Sequence, residues 1–303
     1  MFLFAAEGGG HHQPLIVEFI NHYLGEPVYR FQIAVTRPLW IKFFALFGTT
    51  PEKVFGAEYS PENAIPWYTI MFVIACILSI LIIRILRDKL SEDDPSNAQM
   101  TLEAGYIYIA ELASSVIGPH AFKYLPIVAT FAVLILVSNL MGQVPVFMAP
   151  TASVNVTFAL AITSFIYYNY VGISENGLIN HLAHLTGPRL PLLLTIIITP
   201  LIFSVELISN MIRPFTLGVR LFANMFADEK IFGEITNLYP PLTQFLLPLI
   251  LTLLGVFVAF VQTLVFTLLS MIYISEVTHA PHDHTHGGVH DEHTGEAVAT
   301  AHV

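Results

Sequence analysis

The sequence has little charge and almost no cysteine. Of its 303 residues, 11% are charged and only one, Cys76, is a cysteine. A single thiol cannot form a disulfide within the chain, so the cysteine content does not identify the redox compartment. Acidic residues outnumber basic ones by 22 to 12, which gives a formal net charge of −10. This balance leaves no basic surface of the kind that binds nucleic acid, and we expect no nucleic-acid partner.

Two kinds of motif are also missing. The chain contains no glycine-rich phosphate loop, so we expect it to have no nucleotide site, cofactor site or metal site of its own. Residues 1–10 lack the basic residues that begin a signal peptide, and we expect no cleaved leader.

Apolar residues, by contrast, make up 55% of the chain, and the mean hydropathy is +0.68. A helix needs about 20 apolar residues to cross roughly 30 Å of hydrocarbon. Five stretches are long enough, namely 67–86, 124–146, 154–172, 190–228 and 242–275. The sequence therefore predicts an all-α membrane protein with about five transmembrane helices. The membrane domain is residues 66–276, between an N-terminal segment, 1–65, and a tail, 277–303.

The last two stretches are too long for upright helices. At 1.5 Å per residue they would extend for about 52 to 58 Å, nearly twice the hydrocarbon thickness. We expect them to be strongly tilted, or kinked at Pro200 and Pro214 in the fourth stretch and at Pro248 in the fifth. Residues 144–151 contain two prolines and predict a tight hairpin between the second and third spans. Residues 100–118 predict an amphipathic helix on the cytoplasmic side.

Basic residues set the predicted orientation. Arg84, Arg87 and Lys89 follow the first span, and the positive-inside rule places that end of the span in the cytoplasm. The N-terminal segment is then extracytoplasmic, and after five crossings the C-terminus is cytoplasmic.

One polar stripe runs along the fourth stretch. Glu206, Arg213 and Arg220 recur every seven residues and Asn224 follows four residues later, so all four lie near one helix face. An unpaired guanidinium at the helix centre costs roughly 2.5 kcal/mol on insertion scales. Arg220 has no acid three or four residues away, so we expect a charged or hydrated partner from elsewhere. A functional role for Arg220 is favoured over a structural one.

The other polar residues have simpler interpretations. Arg213 is expected to reach the cytoplasmic interface with its charge. Glu206 either neutralises Arg213 or conducts protons, and the sequence leaves both readings open. Asp228 and Lys230 resemble ordinary interface charges. Three small residues of this stretch, Gly218, Ala223 and Ala227, would let a neighbouring helix approach Arg220.

Three ordered motifs resemble subunit a of the membrane sector of F-type ATP synthases. The first runs from Glu206-Leu207-Ile208-Ser209 through Arg213-Pro214 to Leu217-Gly218-Val219-Arg220-Leu221-Phe222-Ala223-Asn224-Met225. The second runs from Ser138-Asn139-Leu140-Met141-Gly142 through Pro150-Thr151-Ala152-Ser153-Val154-Asn155-Val156-Thr157, and the third is Val261-Gln262-Thr263. The resemblance covers roughly residues 66–276.

The resemblance implies roles for individual residues. Arg220 matches the essential arginine, Asn224 and Glu229 match positions lining the outer proton half-channel, and Glu206 matches a carboxylate towards the inner half-channel. Gln262 matches a glutamine that faces the arginine. Supporting positions in these motifs are Arg213, Asn155 and Thr157. The chain departs from the pattern at Ser153, where many relatives have an acid, and at Gly255, where some have a histidine or glutamate.

The resemblance also implies a function and partners. The chain would be the proton-conducting stator of a rotary ATP synthase, and proton flow past it would turn a c-type rotor ring whose carboxylates lie in the membrane. We expect a hetero-oligomeric complex with peripheral-stalk b-type subunits in the lipid bilayer. H⁺ is the expected translocated ion, with no cofactor. The long polar tails and the acidic linker, 88–97, are unlike compact organelle-encoded relatives and indicate a bacterial inner membrane.

Two other classes remain open at this stage. A secondary ion antiporter would use Arg220 and Glu206 in a midplane site, but such transporters usually contain internal repeats, and the halves of this chain show none. A scaffold protein with no transport role would leave Arg220 unexplained.

The ends of the chain carry less information. Seven of the 13 histidines lie in residues 279–303, where the composition favours a solvated tail over a metal site. Residues 14–56 predict an amphipathic helix on the outer membrane surface.

Overall fold

The structure is a computed structural model that describes most of the chain. The described ranges are 14–46, 48–50, 64–87, 91, 95–144, 147–177, 192–238 and 246–278, with side chains in the last two from 199 to 231 and from 249 to 278. The histidine-rich tail therefore lies outside the described residues. The described ranges form helices and no strand, which confirms the predicted all-α class.

Eight α-helices follow one another along the described ranges. They are α1 (Leu15–Phe31), α2 (Arg37–Ala45), α3 (Trp67–Leu86), α4 (Asn97–Ile117), α5 (Ala121–Met141), α6 (Val154–Asn176), α7 (Leu192–Leu238) and α8 (Leu246–Thr278). A π-helical turn, Gln32–Thr36, joins α1 to α2, and a 3-10 turn, Pro150–Ala152, precedes α6.

Four of these helices are long and apolar enough to cross a membrane. They are α3, α5, α6 and the part of α8 from Leu249 to Thr278. Helix α7 corresponds to the fourth predicted span, but it carries six charged residues between positions 206 and 230, which lower its apolar character. The fourth span is thus helical as predicted, with a polarity that distinguishes it from the other four.

Both final helices are longer than a bilayer is thick. Helix α7 has 47 residues and α8 has 33. Their lengths are about 70 Å and 50 Å, so neither can stand upright within about 30 Å of hydrocarbon. Helix α7 continues as a helix through Pro200 and Pro214. A helix of this length must tilt, bend or project beyond the hydrocarbon.

Helix α8 lies at the centre of the bundle and packs against α4, α5, α6 and α7. Near its C-terminal end, Met271 and Ile274 contact Tyr124 of α5 and Tyr168 of α6 in one apolar cluster. A second apolar cluster lies nearer the N-terminal end of α8 and joins α5, α6, α7 and α8. Its buried members include Phe131, Leu160, Leu217, Leu221 and Phe266. Helix α5 packs on α8, α4 and α3, whereas α6 packs on α7 and α8. The two helices also meet directly, because Lys123 and Tyr124 of α5 contact Glu175 of α6.

The connection between α5 and α6 covers residues 142–153, and residues 145 and 146, within the hairpin predicted at 144–151, lie outside the described residues. Thr151 donates a hydrogen bond of 2.7 Å to Asn139 Oδ1, and both residues are fully buried. Gly142 allows the chain to return closely, because a Cβ at this position would lie 2.6 Å from the Cβ of Ala149.

The N-terminal helices attach to the bundle at the start of α3. Val17 of α1 is buried against Ile70 and Met71. The amide of Asn21 donates to the carbonyl of Ile65 at 3.1 Å and accepts from its N–H at 3.2 Å. Helices α1 and α2 fall within the helix predicted at 14–56, while its place on the outer membrane surface stays a prediction.

Helix α4 matches the amphipathic helix predicted at 100–118. Its Ala113 and Ile117 are buried against the bundle, whereas Glu103 and Glu111 are exposed. Ser96 caps its first turn by accepting a hydrogen bond of 3.3 Å from the N–H of Gln99. The cytoplasmic position of α4 stays a prediction.

The contact at Gly142 gives a stability prediction. We expect Gly142→Ala to lower the melting temperature of the assembled complex and the amount of subunit in membranes, because overpacking costs about 1–3 kcal/mol. Gly105→Ala is the matched control, since a Cβ there meets nothing within 4 Å and alanine favours a helix. Equal melting temperatures for the two variants would show that the return at Gly142 is not tightly packed.

Candidate functional site

Helix α7 has an apolar face and a polar face near its middle. Leu217, Leu221 and Met225 recur every four residues and are buried against α6, α8 and the 3-10 turn. Arg220 lies outside this stripe and is exposed. Within the described residues its guanidinium takes part in no ion pair or hydrogen bond. The charge of Arg220 is thus open to a partner from outside the chain.

Asn224 and Gln262 connect α7 to α8 one turn from Arg220. The Asn224 amide donates to Gln262 Oε1 at 2.6 Å. Gln262 is 2% exposed, and its Nε2 has no hydrogen-bond partner in the part of the chain that the structure describes. Gln262 lies near the middle of the apolar helical segment Leu249–Thr278, and it bonds to Asn224, four residues after Arg220.

A charged cluster surrounds Arg213, between Arg220 and the N-terminal end of α7. Arg213 forms two close contacts with Glu276 of α8, of 2.6 Å from Nη1 and 2.7 Å from Nη2. Glu206 lies 3.7 Å from the same guanidinium, and the ring centre of Tyr273 lies 5.2 Å from Arg213 Cζ. The negative charges of Glu206 and Glu276 therefore balance the positive charge of Arg213, and Glu276 is the carboxylate that binds it through two contacts. We call these four residues the Arg213 cluster.

A half-open cavity with both polar and apolar lining residues lies near the other end of α8. Its volume is about 230 Å³, enough for several water molecules, which each occupy about 30 Å³ in the liquid. Its polar lining residues are Asn139, Gln143, Asp228, Glu229 and Thr252. Gln143 Nε2 donates to Asp228 Oδ2 at 2.7 Å. Asn139 is fully buried, and its Nδ2 has no hydrogen-bond partner among the described residues.

Arg220 lies between the Arg213 cluster and the cavity. Along α7 it is seven residues from Arg213 and nine from Glu229, or about 10 Å and 13 Å. Glu276 and Thr252 are 24 residues apart on α8, about 36 Å, which is close to the thickness of a bilayer core. The two polar sites are therefore separated along the axis of α8, and Arg220, which has no ion-pair partner among the described residues, lies between them.

Three residues of these sites were not singled out by the sequence. Glu276 lies 14 residues after Gln262, the same heptad spacing that relates Glu206 to Arg220, and this spacing could have identified it. Gln143 is an isolated amide between a helix end and a proline. Asp228 resembles an interface charge in the sequence, but it lines the cavity in the structure.

Two predicted supporting residues lie apart from both polar sites. Thr157 is fully buried, and its hydroxyl donates to the carbonyls of Ser153 and Val154 in its own helix. Asn155 is exposed at the start of α6, and neither residue lines the cavity. Ser153 is buried, and its Oγ has no hydrogen-bond partner among the described residues. The roles of Asn155 and Thr157 stay predictions.

The small residues near Arg220 divide between two faces. Gly218 is buried, and a Cβ there would lie 3.4 Å from Ala161 Cβ and from the ring of Phe158, both on α6. Gly218 therefore serves close packing within the chain. Ala223 and Ala227 are exposed and leave the free face of α7 open to close approach by another helix.

Comparisons with known proteins identify the family. The family described as ATP synthase A chain matches residues 68–275. The chain is 40% identical over 218 residues to ATP synthase subunit a of Solibacter usitatus, which covers 71% of this chain and 89% of the relative. It is 35% identical over 232 residues to ATP synthase subunit a of Trichlorobacter lovleyi, covering 77% and 94% of the two chains. The chain therefore belongs to the ATP synthase A chain family, the subunit a of bacterial F-type ATP synthases.

Proposed function

We propose that the chain is the proton-conducting stator of a rotary ATP synthase, with two aqueous half-channels separated by Arg220. The observation that carries this proposal is the position of Arg220, an exposed cation between two separate polar sites that pairs with no acid among the described residues. Membership of the ATP synthase A chain family supports the stator role.

The partner of Arg220 is an acid on another polypeptide. A cation near the bilayer centre needs a counter-charge or water, and among the described residues no acid pairs with Arg220, while Glu206 and Glu276 pair with Arg213. The carboxylate of a c-type rotor ring supplies the missing charge. The exposed Ala223 and Ala227 allow a ring helix to pass close to Arg220.

The cavity is the outer half-channel. Protons enter it past Glu229, Asp228 and Asn224 and neutralise a rotor carboxylate. Only the neutral carboxyl can leave the stator and face lipid, because an ionised group in hydrocarbon is strongly disfavoured. Protonation therefore permits the ring to turn away from α7.

The Arg213 cluster lines the inner half-channel. After nearly a full turn the carboxyl returns to the stator, where the positive charge of Arg220 favours its ionised form. The released proton leaves past Glu206. Because Glu276 provides the bidentate contact to Arg213, Glu206 is the carboxylate of the pair that is freer to exchange a proton. The fixed charge of Arg220 repels a proton that would pass directly between the half-channels.

The same proposal also specifies the membrane, the orientation of the chain and its partner subunits. The complex lies in a bacterial inner membrane, with the N-terminal segment outside and the C-terminal tail in the cytoplasm. It includes peripheral-stalk b-type subunits beside the c-type ring. The translocated ion is H⁺, and the chain uses no cofactor.

The central test replaces Arg220. We expect Arg220→Ala and Arg220→Lys to abolish proton-driven ATP synthesis in complexes that assemble normally, because lysine is more compactly hydrated and loses its proton readily when buried. Synthesis is measured in membrane vesicles and normalised to the amount of complex. Arg84→Ala, which removes an exposed cation from the last turn of α3, should leave the rate unchanged. Coupled synthesis in an assembled Arg220→Ala complex would overturn the proposal.

The two acids beside Arg213 should behave differently. We expect Glu276→Gln to destabilise the assembled complex by about 1 kcal/mol, since it removes a charge-assisted pair that is 37% exposed at the carboxylate. Glu206→Gln should hardly change the melting temperature, because its contact is 3.7 Å long, but it should slow proton conduction. An equal loss of stability in both variants would contradict this division.

The purified chain distinguishes a stator from an antiporter. Reconstituted alone in liposomes, the chain is expected to catalyse no ion exchange, because its proton path is completed by the rotor. A pH-sensitive dye inside the liposomes measures exchange with Na⁺ or K⁺ outside. Saturable exchange by the chain alone would favour the antiporter that the sequence left open.

A further inference from the structure

The space beside Gly255 is filled by a side chain from a different part of the fold. A Cβ built on Gly255 would lie 2.5 Å from both Nε2 and Oε1 of Gln143. These separations are far below van der Waals contact, so the Gln143 amide and a side chain at 255 cannot occupy the same space. Gly255 is buried in α8, and Gln143 follows the end of α5.

The same amide holds a carboxylate in the cavity wall. Gln143 Nε2 donates to Asp228 Oδ2 at 2.7 Å, which joins the end of α5 to α7 across the glycine of α8. Gln143, Asp228 and Glu229 all line the cavity of about 230 Å³. The amide of Gln143 therefore reaches Asp228 from the end of α5.

We propose that Gln143 is a positioning residue of the outer half-channel. From the end of α5, Gln143 supplies the polar group that Gly255, which has no side chain, cannot supply from α8. Its amide also fixes the Asp228 carboxylate in the cavity wall. An amide has no titratable proton near neutral pH, so Gln143 acts through the carboxylate and the water that it orients. This inference rests on the proposed function, because it assigns the cavity to the proton path.

The arrangement makes positions 143 and 255 interdependent. With Gln143 present, any side chain at 255 must displace the amide and break its bond to Asp228. With a small residue at 143, an amide borne by residue 255 can enter the same space. Moving the amide side chain from position 143 to position 255 should therefore preserve proton conduction better than changing either position alone.

The test measures proton-driven ATP synthesis and passive proton conduction in the complete complex, normalised to assembled subunit. Gln143→Met keeps the length of the side chain and removes the hydrogen bond, and Gly255→Ala displaces the amide. Each is expected to lower both rates about tenfold, the effect of losing one hydrogen bond to a charged group. Val144→Ala, at a neighbouring position that is 45% exposed, is the matched control and should leave both rates unchanged.

A double variant that moves the amide from position 143 to position 255, called the exchange variant, distinguishes a hydrogen-bonding role of Gln143 from a packing role. Gln143→Ala should be as slow as Gln143→Met, and Gln143→Ala with Gly255→Gln should recover to within about threefold of the unaltered complex. The single variants should also need a higher proton concentration on the outer side for half-maximal conduction, with no change on the inner side. Where Gln143→Met does not assemble, Gln143→Asn replaces it, since the shorter amide cannot reach Asp228.

The outcomes separate this inference from the proposed function. Unaltered rates in assembled Gln143→Met, or an exchange variant no faster than Gln143→Ala, would overturn the role of Gln143. If Arg220→Ala in the same preparations still abolishes synthesis, the stator function stands without it. Coupled synthesis in Arg220→Ala would instead remove the assignment of the cavity to a proton path.

Discussion

The charge of Arg220, which has no ion-pair partner in the described part of the chain, is the constraint on which the rest of the site depends. A guanidinium near the centre of an apolar bundle is tolerated only with a counter-charge or water. Among the described residues no acid pairs with Arg220, which is exposed on the side of α7 away from the buried Leu217 and Leu221. The fold thus builds an incomplete electrostatic site, which a moving carboxylate can complete and then leave.

Two structural features keep this charge in place. The stripe Leu217, Leu221 and Met225 anchors α7, and Gly218 brings α7 against α6. The Asn224–Gln262 hydrogen bond then ties the polar edge of α7 to α8. Helix α8 carries Glu276 of the Arg213 cluster and Thr252 of the cavity, so one helix sets the spacing of both polar sites.

Much of the site could be predicted because helical periodicity places residues on a face. The spacing of Glu206, Arg213, Arg220 and Asn224 indicated one polar stripe, and the three motifs indicated the family that the comparisons then established. The bidentate contact of Arg213 with Glu276 could not be deduced in this way, because the two residues lie 63 positions apart on different helices. The same limit applies to Gln143 and Asp228, which are 85 positions apart.

The sequence by itself determined the class, the helices and the chemistry of the cation. Apolar runs of about 20 residues can only be helices in lipid, and one arginine in such a run demands a partner. The tertiary structure alone decided which acid pairs with Arg213, that α8 packs against four other helices, and that Gln143 occupies the space beside Gly255. The reason is that periodicity is local to one helix, whereas these contacts depend on how separate helices pack against one another.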